Sequence, residues 1–178
     1  MDIEIYNWND LAKIGNDPDY PIPSAEDEEE ESINYYLMNN LNQDTEGYDV
    51  HASSEANDGA GWLPIGRNSD GSINDFYCNF YGQKHNIQGL YINRPDIGYL
   101  GVFAILGVGY KIVQLGVVDC YINGKNRCGS IVGVNELYGY IKQCYARGGS
   151  INGENAIGGI IGGDEGGNII NSYSAVEV

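Results

Sequence analysis

The chain has 178 residues and carries 9 basic against 25 acidic side chains, a net charge of −16. Such a surface repels phosphate backbones and anionic lipid, which argues against nucleic acid and membrane-surface partners. The 26 glycines follow no three-residue period, 15 tyrosines and five prolines oppose disorder, and no apolar run of about 18 residues occurs, so collagen, a disordered chain and a spanning helix drop out.

The start, Met1-Asp2-Ile3-Glu4, has neither the basic region nor the apolar core of an export signal. That leaves open a cytoplasmic protein and an exported fragment whose signal has been removed. Ile3 and Ile5 alternate with polar residues, and Asn7 or Asn9 then caps a predicted short helix with Leu11, Ala12 and Ile14, ended by Gly15. Pro18, Pro21 and Pro23 predict a loop, and the six acids Glu26 to Glu31 a solvated extension of it. The apolar-aromatic run Ile33 to Leu41 predicts a strand, and residues 42–61 a polar surface excursion containing His51. With no second His or Cys nearby, His51 reads as an exposed histidine rather than a metal ligand.

Residues 1–61 are thus expected to form an N-terminal cap and acidic loop, and 62–178 the repeating body of the same domain. Trp62 to Gly66 is an apolar island. Asn68-Ser69-Asp70-Gly71 has the middle of a calcium loop, but Gly66 stands where the first carboxylate belongs and Tyr77 where the bidentate glutamate belongs, so a plain turn is expected. Phe76, Cys78 and Phe80, then Ile87, Leu90 and Ile92, give short strands around Gly82 and Gly89. His85 follows the first of these turns and reads as structural, its ring bonded to a nearby backbone group.

From Leu100 the chain repeats. Ile112, Ile141 and Ile170 head matching tetrapeptides 29 residues apart, Tyr121-Ile122-Asn123-Gly124 returns as Ser150-Ile151-Asn152-Gly153, and Gly129 to Gly133 returns as Gly158 to Gly162. The Leu100-Gly101-Val102-Phe103 start is one more copy, slipped by one residue. A period of this length signals a solenoid whose units bury their faces on their neighbours. Glycine interrupts every apolar run, which costs a helix about 1 kcal/mol at each position, so the units are predicted to be strands. Internal ladders are expected from Ile112, Ile141 and Ile170, from Val132 and Ile161 over Ala104 or Ile105, and from Ile122 and Ile151. Asn123 and Asn152 are expected at a left-handed corner. An open end would invite association with a second copy or a further segment.

The coils from Gly101, Gly129 and Gly158, above all Ile157 to Ser174, resemble the GLUG repeat. The stretch Phe80 to Asn93 is similar to the one that precedes such repeats, with Tyr81 in place of Asp, Lys84 in place of Gly, and His85 retained. The resemblance implies an all-β, right-handed parallel β-helix or solenoid, here with a short N-terminal helical cap. It also implies an extracellular or cell-surface, adhesin-like role with no catalytic residues of the module's own. The His-Glu-x-x-His motif of metalloproteases that carry this module is absent.

No cofactor or metal site is expected. A β-helix polysaccharide hydrolase is the rival reading, and it would need Asp119, Asp164, Glu165 or His85 to converge in a groove. Cys128 and Cys144 occupy ladder positions and read as buried free thiols; a Cys120–Cys144 bridge is the other option. Tyr138, Tyr140, Tyr145 and Tyr173 are the candidate binding residues, as an outward aromatic strip for a glycan or protein ligand.

Overall fold

The computed structural model describes residues 1–24 and 32–178; the acidic run Glu26 to Glu31 lies outside the described residues. The chain enters through β1 (Asp2–Ile5), passes through α1 (Trp8–Lys13) and returns as β2 (Asn34–Leu37). Asn7 caps α1 by accepting the Asp10 N–H at 2.9 Å. After α2 (Tyr48–His51) and a 3₁₀ turn (Ala56–Gly59) come β3 (Asn79–Tyr81), β4 (Asn86–Gln88) and β5 (Tyr91–Asn93).

Regular coils follow. The first holds β6 (Phe103–Leu106), β7 (Lys111–Val113), β8 (Gly116–Asn123) and β9 (Asn126–Cys128). The next holds β10 (Val132–Asn135), β11 (Tyr140–Lys142), β12 (Tyr145–Asn152) and β13 (Asn155–Ile157). The last has β14 (Ile161–Asp164), β15 (Asn168–Ile170) and β16 (Tyr173–Glu177). All pairings between these strands are parallel, each to the same strand one coil away. The protein is a parallel β-solenoid. One wall is a six-stranded sheet, β1-β2-β3-β7-β11-β15; a second is β4-β8-β12-β16, with β5 also on β8; a third is β6-β10-β14.

This first wall runs through the boundary expected at residue 61. β1 and β2 are its first two rungs, because Ile3, Tyr35 and Phe80 stand in one register column that continues to Ile112 and Ile141. The N-terminal segment is therefore part of the stack, and its two short helices pack onto it: Trp8, Leu11 and Ile14 belong to the same buried cluster as Phe80 and Ile112.

The ladders differ from expectation at two places. Ile141 pairs with Ile169, and Ile170 pairs with Lys142. The cause is a shorter corner. Asn135 and Asp164 are in register, as are Tyr140 and Asn168, so five steps in one coil match four in the next. Val132 pairs with Ile161 above and with Phe103 below, in place of Ala104 or Ile105. The one-residue slip of the Leu100 copy falls just before this: Leu100 bridges Cys128 while Phe103 pairs with Val132. Ile92, Ile122 and Ile151 form an unbroken column, with Asn93, Asn123 and Asn152 beside them. Asn123 Nδ2 donates to Asn93 Oδ1 at 2.9 Å.

These asparagines lie at strand ends rather than in left-handed corners. Left-handed backbone instead recurs at Gln114, Gln143 and Asn171, and again at Tyr99, Arg127 and Ala156. Each set marks one corner where the chain changes wall. The strain is met by the ladder on either side: the Gln114 N–H donates to Lys142 O and the Gln143 N–H to Ile170 O, both at 2.9 Å. At the last rung nothing stacks on the final ladder position among the described residues, and Ile169 is 46% exposed where Ile141 beneath it is fully buried.

Candidate functional site

The four candidate tyrosines do not form one strip. Tyr145 and Tyr173 are in register and stack at 5.7 Å with ring planes 12° apart. Gly116 makes room beneath them, since a Cβ there would run into the Tyr145 ring. Tyr138 stands on the turn before β11, 62% exposed, with its N–H on Gly166 O at 3.2 Å. Tyr140 lies on the first wall, between Lys111 and Asn168. Two further stacks repeat the Tyr145–Tyr173 geometry: Tyr36 on Tyr81 at 5.0 Å and Tyr91 on Tyr121 at 4.9 Å. Rings stacked along the solenoid axis cover one another's faces and turn edges and hydroxyls to solvent. That geometry supports rung-to-rung cohesion more directly than sugar stacking.

The acids and histidines also stand apart. Asp119, at a left-handed position in β8, accepts from Gln88 Nε2 at 3.2 Å on the second wall. At the turn between β14 and β15, Asp164 accepts from Asn135 Nδ2 and from the Gly167 N–H, each at 3.1 Å, and Glu165 pairs with Arg127. His85 Nδ1 lies 3.2 Å from the Asn40 side-chain oxygen, so its partner is a side chain and not the backbone group expected. His51 is half-buried rather than exposed: its Nε2 lies 3.0 Å from Asn9 Oδ1, and burial lowers its pKa. Asn68 to Ser72 forms the plain turn, with the Gly71 N–H on Asn68 O at 3.0 Å and the Ser72 N–H on Asp70 Oδ1 at 2.9 Å. Among the described residues no group of three His, Cys, Asp or Glu is placed to hold a metal ion.

All four cysteines are buried and free. Cys128 stacks between Leu100 and Ile157, and Cys120 pairs with Gly149 rather than with a thiol. Burial pushes the Cys78 thiol up to about 12 and those of Cys120, Cys128 and Cys144 to about 11. The thiolate is the reactive form, so at pH 8 a disulfide-exchange reagent is expected to leave native protein almost unmodified. In denaturant it should titrate four thiols per chain. Rapid reaction of any one of them in the native state would contradict the buried placement.

Sequence reasoning passed over Arg67 and Arg94. They line one cavity of about 490 Å³ together with Asn57, Asp58, Leu63 and Ile97. Arg67 sits after the apolar island, where Ile65 bridges Phe103 and a short hairpin leaves the coil. Arg94 follows β5, its Nε donating to Trp62 O and its Nη2 to Gly61 O, both at 3.2 Å. The available signal was their scarcity: the chain has nine basic residues, and these two stand beside turns that the stacking brings together.

Its walls and ladders define the chain as a parallel β-solenoid with polar and aromatic outer columns. No protein-family model matches it, and no solved structure matches it. A protein described as a Gly-rich membrane protein, from Evansella cellulosilytica, is 36% identical over 64 residues, 36% of this chain. Halomucin of Haloquadratum walsbyi is 31% identical over 116 residues, 64% of this chain. The chain spans 7% and 1% of the lengths of these two relatives.

Proposed function

We propose that this chain is a non-catalytic module of a surface or secreted protein, of the GLUG-repeat kind, serving as a binding face or a rigid spacer. The observation that carries the reading is the division of labour among its residues. Those that recur from coil to coil, such as Ile112 with Ile141 and Ile122 with Ile151, are ladder residues. Of those that would run a hydrolytic reaction, Asp164 and Glu165 share one turn, Asp119 lies on β8 and His85 precedes β4, and each has a separate partner. The names of the two relatives, a membrane protein and a halomucin, support a surface location.

Antibodies against the chain are expected to label intact cells of the source organism. Labelling only after permeabilisation would sink the surface reading. Polysaccharides incubated with purified chain are expected to be recovered uncut, and chain shortening would favour the hydrolase instead.

Self-association is a second reading, favoured by the half-exposed Ile169 on the last rung. The opposite end carries α1 with Trp8 and Leu11 fully buried, so two copies would meet last rung to last rung. A solution mass that doubles with concentration and falls back in Ile169→Lys supports it; a monomeric mass at all concentrations rejects it.

A further inference from the structure

We propose that the Arg67–Arg94 cavity is a binding site for a carboxylate-bearing sugar of the hexuronate class. Both guanidiniums are fixed by backbone carbonyls and by no acid. Arg67 Nη1 donates to Gly71 O at 3.3 Å and Nη2 to Gly98 O at 2.6 Å. Arg94 is held by Gly61 and Trp62 through two donors. A guanidinium has five N–H donors, so 5 − 2 leaves three on each. Arg67 is only 7% exposed, and its Nε finds no acceptor. The ion pairs among the described residues are Lys13–Asp10 and Arg127–Glu165, so both arginines lack one.

Two neighbouring cations, Arg67 buried and Arg94 half-buried, neither paired with an acid, are costly to keep in a chain with 25 acids to spare. Burial lowers the pKa of each, and the charge of Arg67 lowers that of Arg94 further. An anion in the cavity would relieve both effects. Asp58 lines the same cavity without pairing with either arginine, so the local sum is +1. That sum suits a monoanionic carboxylate, which a guanidinium fork can grip through two oxygens, better than a phosphate dianion.

The remaining lining suits a sugar ring. Asn57 and Asn68 each donate one amide hydrogen, to Gly61 O and Ser72 Oγ, at 2.9 and 2.8 Å. Their side-chain oxygens are left as acceptors for hydroxyl groups. Leu63 and Ile97 supply apolar surface. A volume of about 490 Å³ is ample for a monosaccharide.

The inference rests on the binding-module reading in one respect: the sugar should leave unaltered. Calorimetric titration of the full chain with free glucuronate, glucose and inorganic phosphate tests it. Glucuronate is expected to bind at least about tenfold more tightly than glucose or phosphate. Arg94→Gln is expected to weaken glucuronate binding at least about tenfold, and Asp58→Asn, which removes the opposing charge, to strengthen it. Equal affinity for glucose, tighter binding of phosphate, or no glucuronate binding overturns the proposal. If Arg94→Gln does not fold, the three-ligand comparison and Asp58→Asn decide alone. Glucuronate bound but chemically changed would overturn the non-catalytic reading and leave the site standing.

Discussion

Phe103→Ala is expected to lower the stability of the fold by about 3–5 kcal/mol, the usual loss for truncating a fully buried phenylalanine. Phe103 has no exposed surface and sits where the irregular N-terminal coils meet the regular ones. Its ring lies 4.8 Å from Phe76 and 5.1 Å from Phe80, and Phe76 continues the cluster to Tyr35 at 6.0 Å. Phe80 belongs to the first wall and Phe103 to the third, so the cluster ties two walls as well as two coils. Domains of this size have roughly 5–15 kcal/mol in total, so the loss is a large share of the whole. A solenoid's stability is close to a sum of coil terms and nearest-neighbour interfaces. A weakened interface should therefore uncouple the halves. The two tryptophans, Trp8 and Trp62, are both buried in the N-terminal coils, 5.8 Å apart. In urea, their fluorescence and the far-ultraviolet signal of all strands should move together in the parent chain and separate in Phe103→Ala. Tyr138→Ala, at a 62% exposed side chain, is the control and should stay within about 0.5 kcal/mol. A loss below about 1 kcal/mol in Phe103→Ala would show that this cluster does not join the coils.

The same junction marks where the sequence stops being readable. From Leu100 onward the coil length is nearly constant, so Ile112 beneath Ile141 and Val132 beneath Ile161 recur at one fixed spacing. Before it, the column runs Tyr35, Phe80, Ile112, at spacings of 80 − 35 = 45 and 112 − 80 = 32 residues. Loops and helices inserted between rungs stretch the period, and aromatic residues replace Ile, which hides two coils from any search for a 29-residue echo. The Ile170 misplacement has a smaller cause of the same kind. Ile169 and Ile170 are adjacent, and only the shortened corner from Asp164 to Asn168 decides which of them enters the column. The corners are not legible because Gln114 and Gln143 hold left-handed backbone that side-chain type alone assigns to Asn or Gly. The arginine cavity was invisible for a topological reason. Arg67 and Arg94 are 94 − 67 = 27 residues apart in sequence, and only the stacking of one coil's turn on the next puts both beside one space.

Glycine is the residue that the sequence renders least distinctly, and substitution should separate its two uses. Gly133 lies in the buried strand β10, and a Cβ there would come within 2.6 Å of Ala104 O and of the Tyr99 Cα and carbonyl carbon. All three obstacles are backbone atoms of the preceding coil, which no rotamer change can move. Gly133→Ala must therefore push neighbouring rungs apart along the third wall, an overpacking cost of about 3 kcal/mol. Gly109 has the opposite character. It sits in the exposed turn before β7 with φ at +80° and nothing within 4 Å of its would-be Cβ. Gly109→Ala meets only the left-handed backbone preference, about 1 kcal/mol, and Gly109→Asn less, because Asn tolerates that region. Thermal unfolding of the three variants should place Gly133→Ala well below the other two. If Gly133→Ala and Gly109→Ala unfold together, close approach of the coils at Gly133 is not what selects glycine there, and the spacing of the third wall must be set elsewhere.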